Sequence, residues 1–307
     1  MTELGADAQT RFERRYRVSR WALIGPALVI IALFGIAPLI ITFVYSFLVA
    51  GTYGGVEWKF TVEAYVQFLF DRDIFSGQIQ FIPDYLEIFW RSILLAGITT
   101  LTCLLVGFPT AYFMATRPPS QRNLWVFLIT IPFWTNLLIR TYAIMLIIRD
   151  EGLVNDFLLW LGLIDRPILI LYTNTAILLG LLYSFLPFMV LPLYASLEKL
   201  DFRLVEAAFD LYATRGQALR RIVIPLARPG IIAGCLLVFV PGLGSYITPV
   251  LLGGGSRLMI GNLIALQFGT SRDWPFGSAM AFILMAVVLL ALMLYARSTG
   301  KSQVRHG

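Results

Sequence analysis

Apolar positions in this chain run on in long blocks. They neither alternate nor recur at a helical step. Stretches without charge, apart from one arginine in each of two of them (Arg91 and Arg140), cover residues 21–48, 88–116, 124–148, 174–197, 231–252 and 276–296. Each meets or exceeds the roughly 20 residues a helix needs to cross a bilayer. Hydrocarbon offers no water to unpaired backbone groups, so such runs are read as helices. The pattern predicts an all-α membrane protein: a six-helix domain over 21–298, a cytoplasmic N-terminal segment 1–20, and a cytoplasmic tail 299–307, with both termini on one side. The first run is too long for a signal-peptide core. It follows five arginines between Arg11 and Arg20 and lacks a small-residue cleavage site, so it reads as an uncleaved span.

The polar breaks are short, with two exceptions. Residues 50–87 form the longest soluble part and carry Glu57, Trp58, Lys59, Asp71 and Asp73 among aromatics. A short helix is expected around 61–70, in a loop that either meets a delivering protein or packs over the bundle. The other exception is the charged stretch LDFRLVEAAFDLYATRGQALRRIVIPLARPGI, residues 200–231, within a loop 199–229. Asp201 can cap a first helix on which Phe202, Val205, Phe209 and Tyr212 recur at steps of three and four, with Arg203, Glu206 and Asp210 on another face. Thr214-Arg215-Gly216-Gln217 has the spacing of a capping box, so a second helix should start there. An aromatic anchor beside a charged rim suits a protein groove, and the same pattern suits lipid headgroups.

Composition and charge turn these runs into an orientation. The chain is 58% hydrophobic and 14% charged, with mean hydropathy +0.79, far from the quarter charged residues of soluble domains. The six-span topology puts sixteen of the 24 Lys and Arg residues inside, from Arg11 to Arg305, against seven acids. That obeys the positive-inside bias and places residues 199–229 in the cytoplasm. Orientation thus accounts for the basic pI of 9.4 without nucleic-acid binding.

Glu206-Ala207-Ala208, followed by Ile222, Ile224 and Pro225, resembles the EAA signature of permease subunits of ATP-binding-cassette importers. The resemblance implies a type I importer permease fold, with this segment as a cytoplasmic coupling helix seated in a cleft of the ATPase. Its ATPase-coupling residues would be Arg203, Glu206, Ala207, Ala208, Phe209, Asp210, Tyr212, Gly216 and Pro225. Where this chain has Tyr212 and Ile224, the family usually has glycine and leucine. Tyrosine resists positive φ, so Gly216 would shift the break by a few residues.

The run IPFWTNLLIRTYAIMLIIRDEGLVND, with LLGGG at 251–255 and RDWPFG at 272–277, is similar to the spermidine and putrescine permease group of that family. An arginine inside a span costs several kcal/mol unless it snorkels, pairs or meets water. Arg140 is therefore expected either to face the interior beside an acid of another helix or to snorkel. Trp134, Asn136 and Tyr142 share its span and line either a route or the core. Pro187 and Pro192 should kink the fourth span, and VPGLGSYITP at 240–249 should break the fifth. Broken backbone at that depth marks a substrate path, with Tyr246 as a pathway residue; the bland reading is close packing through Gly242 and Gly244. Asp273 is either a pathway residue or a cap on the sixth helix.

No Gly-x4-Gly-Lys-Ser/Thr loop occurs, so this chain needs a partner for ATP and Mg. Cys103 and Cys235 lie in apolar spans, and the sole histidine, His306, is in the tail, so catalytic and zinc chemistry are not indicated. The resemblance implies a multi-pass subunit in the bacterial inner membrane. Its partners would be a cytoplasmic ATPase dimer, a second homologous permease subunit, a periplasmic substrate-binding protein and the surrounding lipid. The cargo would be a polyamine. Opines and other amino-acid-like solutes are the alternative, and an ion-coupled carrier is the competing class.

Overall fold

The computed structural model describes residues 24–72 and 79–303. Segment 1–20 with its arginines, Asp73, and the tail positions Arg305 and His306 lie outside the described residues. Contacts divide the chain into two units, one holding residues up to Gln80 and from Gln267 onward, the other Phe81–Leu266.

In the first unit, α1 (24–31) passes through a π turn, Ala32–Ile36, into α2 (Ala37–Tyr45), making one apolar helix Ile24–Tyr45. The π turn stops just short of Pro38, which has no N–H for the ordinary i→i−4 bond. Strands β1 (Leu48–Ala50) and β2 (Val56–Phe60) pair antiparallel across Gly54 and Gly55, both at positive φ. Phe47 stacks on Phe60 at 5.6 Å. The expected short helix is α3 (Glu63–Val66), and a second small ribbon joins β3 (Phe70–Arg72) to β4 (Ile79–Phe81). These two ribbons are additions to an otherwise helical fold.

The second unit is built on three helices, α4 (Asp84–Ala115), α8 (Asn174–Leu197) and α11 (Ile224–Leu243), which pack on one another. Cys103, Met114, Met189, Leu193, Leu197 and Val238 form the centre of their shared core. Backbone proximity replaces bulk at Gly230. A methyl group there would sit 2.5 Å from Ser196 Cβ and 2.6 Å from the Pro192 carbonyl, the small-residue contact through which membrane helices associate. α8 is continuous through Pro187 and Pro192.

Two expected spans are differently built. The run 124–148 is not one straight helix. α5 (Pro119–Thr130) ends in a 3-10 turn, Ile131–Trp134, and α6 (Leu137–Ile148) starts after an extended Thr135, with a 92° bend between the two halves. Pro132 removes a backbone donor, and the Asn136 side chain caps α6 by accepting from the Leu138 N–H at 2.8 Å. α7 (Leu153–Trp160), a short helix, follows.

The fifth run begins earlier than 231. A helix runs from Arg215 to Leu243, through α10 (Arg215–Ala218), a π turn at Leu219–Val223 and α11. The second short helix of the charged stretch is thus the start of the span. Again the π turn lies immediately before a proline, Pro225. The break expected at 240–249 is present: α11 stops at Leu243 and α12 (Ile247–Gly253) restarts with Pro249 in its first turn, where a missing N–H costs nothing. α13 (Ile260–Phe268) follows. The last helix, α14 (Trp274–Gln303), belongs to the first unit and meets α2 through Phe43 and Phe282, ring centroids 5.2 Å apart.

Candidate functional site

The charged stretch folds into α9 (Arg203–Asp210), a tight turn and the capped start of α10. Asp201 Oδ1 accepts the Arg203 N–H at 3.0 Å. Thr214 and Gln217 close the capping box, Gln217 Oε1 accepting from the Thr214 N–H at 2.8 Å and Thr214 Oγ1 from the Gln217 N–H at 3.3 Å. Between them the chain turns in a Schellman motif: the Tyr212 N–H donates to Phe209 O and the Ala213 N–H to Ala208 O, both at 2.9 Å.

That turn answers the question posed by Tyr212. It sits at φ +60°, the left-handed conformation that glycine adopts most readily, with a tyrosine in it. Gly216 does not move the break. It lies inside α10 with no atom within 4 Å of where a Cβ would be.

The single apolar face expected on α9 is in fact two. Val205 is buried in the core of α4, α8 and α11, with Ala208 beside it and Phe202 edge-on to Tyr112 at 6.2 Å. Phe209 and Tyr212 turn away, being 44% and 97% exposed, and Leu211 joins them at 81%. Val205 and Ala208, three apart, follow the buried side; Phe209 lies one residue further round, and Tyr212, beyond the helix end at Asp210, is turned outward by its left-handed backbone. Arg203, Glu206, Ala207 and Asp210 are exposed alongside, as is Pro225. The result is an outward apolar knob with an acidic flank on a helix anchored from beneath.

The membrane candidates do not converge as one lining. Thr141 and Ile148 mark the buried side of α6, whereas Tyr142 lies with Ile139 and Leu146 on the exposed side. Asn136 is occupied as the α6 cap, and Trp134, before the bend, is 84% exposed. Arg140 faces inward: its Nε and Nη1 are buried without a hydrogen-bond partner, and its guanidinium lies 5.9 Å from the Phe133 ring centre. The expected acid of another helix is not beside it among the described residues.

Tyr246 stands at the break between α11 and α12, half exposed. Close packing there does not run through Gly242 and Gly244: a Cβ on Gly242 would meet only Ala96 at 3.6 Å, and on Gly244 nothing. The contact is made by Gly261 of α13, where a Cβ would come within 2.6 Å of both the Gly244 and Ser245 carbonyl oxygens. Arg91 and Ser92 of α4 hold the same segment. Arg91 Nη2 donates to Leu258 O at 2.9 Å, and Ser92 Oγ accepts from the Ile260 N–H at 2.8 Å. Sequence reasoning missed all three. A lone charge in an apolar run could have flagged Arg91 as it flagged Arg140. Gly261 had no such signal, because its role is a tertiary contact. In the first unit, Asp273 acts as the cap, its Oδ1 accepting from the Phe276 N–H at 3.0 Å.

Comparison with known proteins follows from this architecture. Residues 107–300 match the family described as "Binding-protein-dependent transport system inner membrane component". The chain is 47% identical over 236 residues to the spermidine/putrescine transport system permease protein PotB of Escherichia coli (strain K12), covering 77% of this chain and 85% of that one. The Salmonella typhimurium (strain SL1344) protein of the same name is also 47% identical, with 82% of it covered. The inner membrane ABC transporter permease protein YdcU of Escherichia coli (strain K12) is 34% identical, covering 70% of this chain and 71% of that protein. In fold, the chain resembles part of a bacterial ABC transporter involved in import of the acidic polysaccharide alginate, with TM-score 0.69 at 16% identity over 95% of this chain and 99% of that one.

Proposed function

Because this chain belongs to the family of binding-protein-dependent transport system inner membrane components, we propose that it is the membrane subunit of an ATP-driven importer of spermidine and putrescine. The observation that carries the substrate is the 47% identity, over 77% of the chain, to permeases named for those two polyamines. The working assembly would contain a second membrane subunit, two cytoplasmic ATPases and a periplasmic binding protein. ATP and Mg would be held by the ATPases, since this chain has no phosphate-cradling loop.

In this reading α9 enters a cleft of the ATPase. Phe209, Leu211 and Tyr212 fill it, while Glu206 and Asp210 meet cations on its rim. Val205 and Phe202 tie α9 to the core of α4, α8 and α11, so a displacement of the ATPase is passed to the helix bundle. The break at Gly244 to Tyr246 is where the bundle would give way to cargo, and Tyr246 offers a π face to an ammonium group. Both termini and α9 lie in the cytoplasm.

The test is reconstitution of the chain with its ATPase, its second membrane subunit and its binding protein in liposomes. Putrescine and spermidine should stimulate ATP hydrolysis and accumulate in the lumen. Stimulation by neither, with an opine or another amino-acid-like solute active instead, would reject the polyamine assignment.

A further inference from the structure

We propose that Arg140 is the cationic half of an ion pair whose carboxylate is supplied by the second membrane subunit. The pairing rests on the importer reading above and goes beyond it by naming one contact of the subunit interface.

The argument starts from an unmet charge. Two of the three guanidinium nitrogens of Arg140, Nε and Nη1, are buried and have no hydrogen-bond partner among the described residues. The Phe133 ring at 5.9 Å is at the outer limit of a cation–π contact and neutralises nothing.

Among the described residues, the elements packed most closely on α6 supply no counter-charge. α6 packs against α7, α8 and α12. α8 and α12 contain no aspartate or glutamate. α7 carries one acid, Asp156, which is exposed. Neither of the ion pairs among the described residues involves Arg140.

Two other sources of negative charge fit less well than a second subunit. A polyamine is itself a cation and would be repelled. A lipid phosphate would need the side chain extended towards the headgroups, whereas Nε and Nη1 are enclosed by protein. Beside Arg140, the face of α6 formed by Leu138, Ile139, Tyr142 and Leu146 is apolar and left uncovered by this chain. A second helix bundle laid on that face would bring a carboxylate to the one guanidinium nitrogen not enclosed, Nη2. Hydrocarbon around the pair would make each charge depend on the other.

The experiment uses the co-expressed assembly, with this chain tagged and the second subunit followed by co-purification. Arg140→Met and Arg140→Glu should each lower the recovered second subunit by about tenfold or more, a change of about 1.4 kcal/mol in association. The membrane level of this chain should be unchanged. Each acid in the membrane helices of the second subunit is then changed to lysine against Arg140→Glu, and one such swap should restore the assembly. Full recovery with Arg140→Met, or no restoring swap, overturns the proposal. An intact Arg140→Met assembly whose apparent KM for the solute has changed instead makes Arg140 a substrate contact, and also overturns it. If Arg140→Glu is not inserted, each acid is instead neutralised, Asp→Asn or Glu→Gln, against Arg140→Met: a change that restores assembly by removing the orphaned carboxylate upholds the pair, and its absence rejects it. Failure of the wild-type chain to recruit any second membrane subunit is a different result, and it rejects the importer reading itself.

Discussion

Tyr212 occupies a left-handed turn with its ring almost wholly outside the chain. The backbone would be easier for glycine, since the left-handed form costs an L-residue about 1–2 kcal/mol. Retaining tyrosine there makes sense for a side chain whose contacts lie on another molecule. Replacing it separates the two effects. Tyr212→Gly should raise the stability of the detergent-solubilised chain by about 1 kcal/mol, read as a higher Tm, after allowing for the entropy glycine loses on folding. The same variant should retain less ATPase on co-purification. A variant that gains stability and keeps all its ATPase would show that the ring has no partner there. Of the site residues, the acids and aromatics of α9 were legible in the sequence because helical spacing brings them together locally. Which of them face outward was not: only the core beneath α9 decides that Val205 goes in and Phe209 out.

At the scale of elements, the fold turns on where helices stop. Both π turns lie just before a proline, at Pro38 and Pro225, so the chain absorbs a missing donor by widening one turn without breaking. At Thr135 and at Gly244 the helices do break, and each break has its own support. Asn136 caps the first. The second rests on Gly261, with Ser92 and Arg91 holding the segment just before it. The atoms around Gly261 are backbone and cannot step aside as a side-chain tip would. Gly261→Ala should therefore destabilise the chain by about 1–3 kcal/mol through overpacking, seen as a lower Tm. Transport should fall with it, because the break itself is displaced; an unchanged Tm would mean the segment yields freely.

For the whole molecule, the charge distribution predicts which side of the membrane its loops occupy. The excess of basic residues around 199–229 and at both ends predicts, by the positive-inside bias, that those parts face inward. Single cysteines test this in a chain with Cys103 and Cys235 changed to alanine. Tyr212→Cys should be labelled by an impermeant maleimide in inverted vesicles and not in intact cells. Tyr53→Cys, in the loop between β1 and β2 and 91% exposed, should show the reverse. Labelling of Tyr212→Cys from outside would overturn the orientation and with it the coupling role of α9.

The amino-acid sequence determined the class of solvent, because burial in hydrocarbon demands long apolar runs with all backbone bonds closed inside them; of its six runs, five hold single long helices among the described residues and the other a pair bent by 92°. It determined the caps at Asp201 and Thr214 as well, since a cap is a bond between residues two or three apart; for Asp273 it left cap and pathway residue open, and the structure makes it the cap. Helix breakers were also visible, as prolines and glycines at 240–249. Tertiary structure alone decided the rest. The anchorage of α9, the support of the Gly244 break by Gly261, and the solitude of Arg140 all depend on atoms far apart in the chain. A local pattern carries no information about which distant surface will be there to meet it.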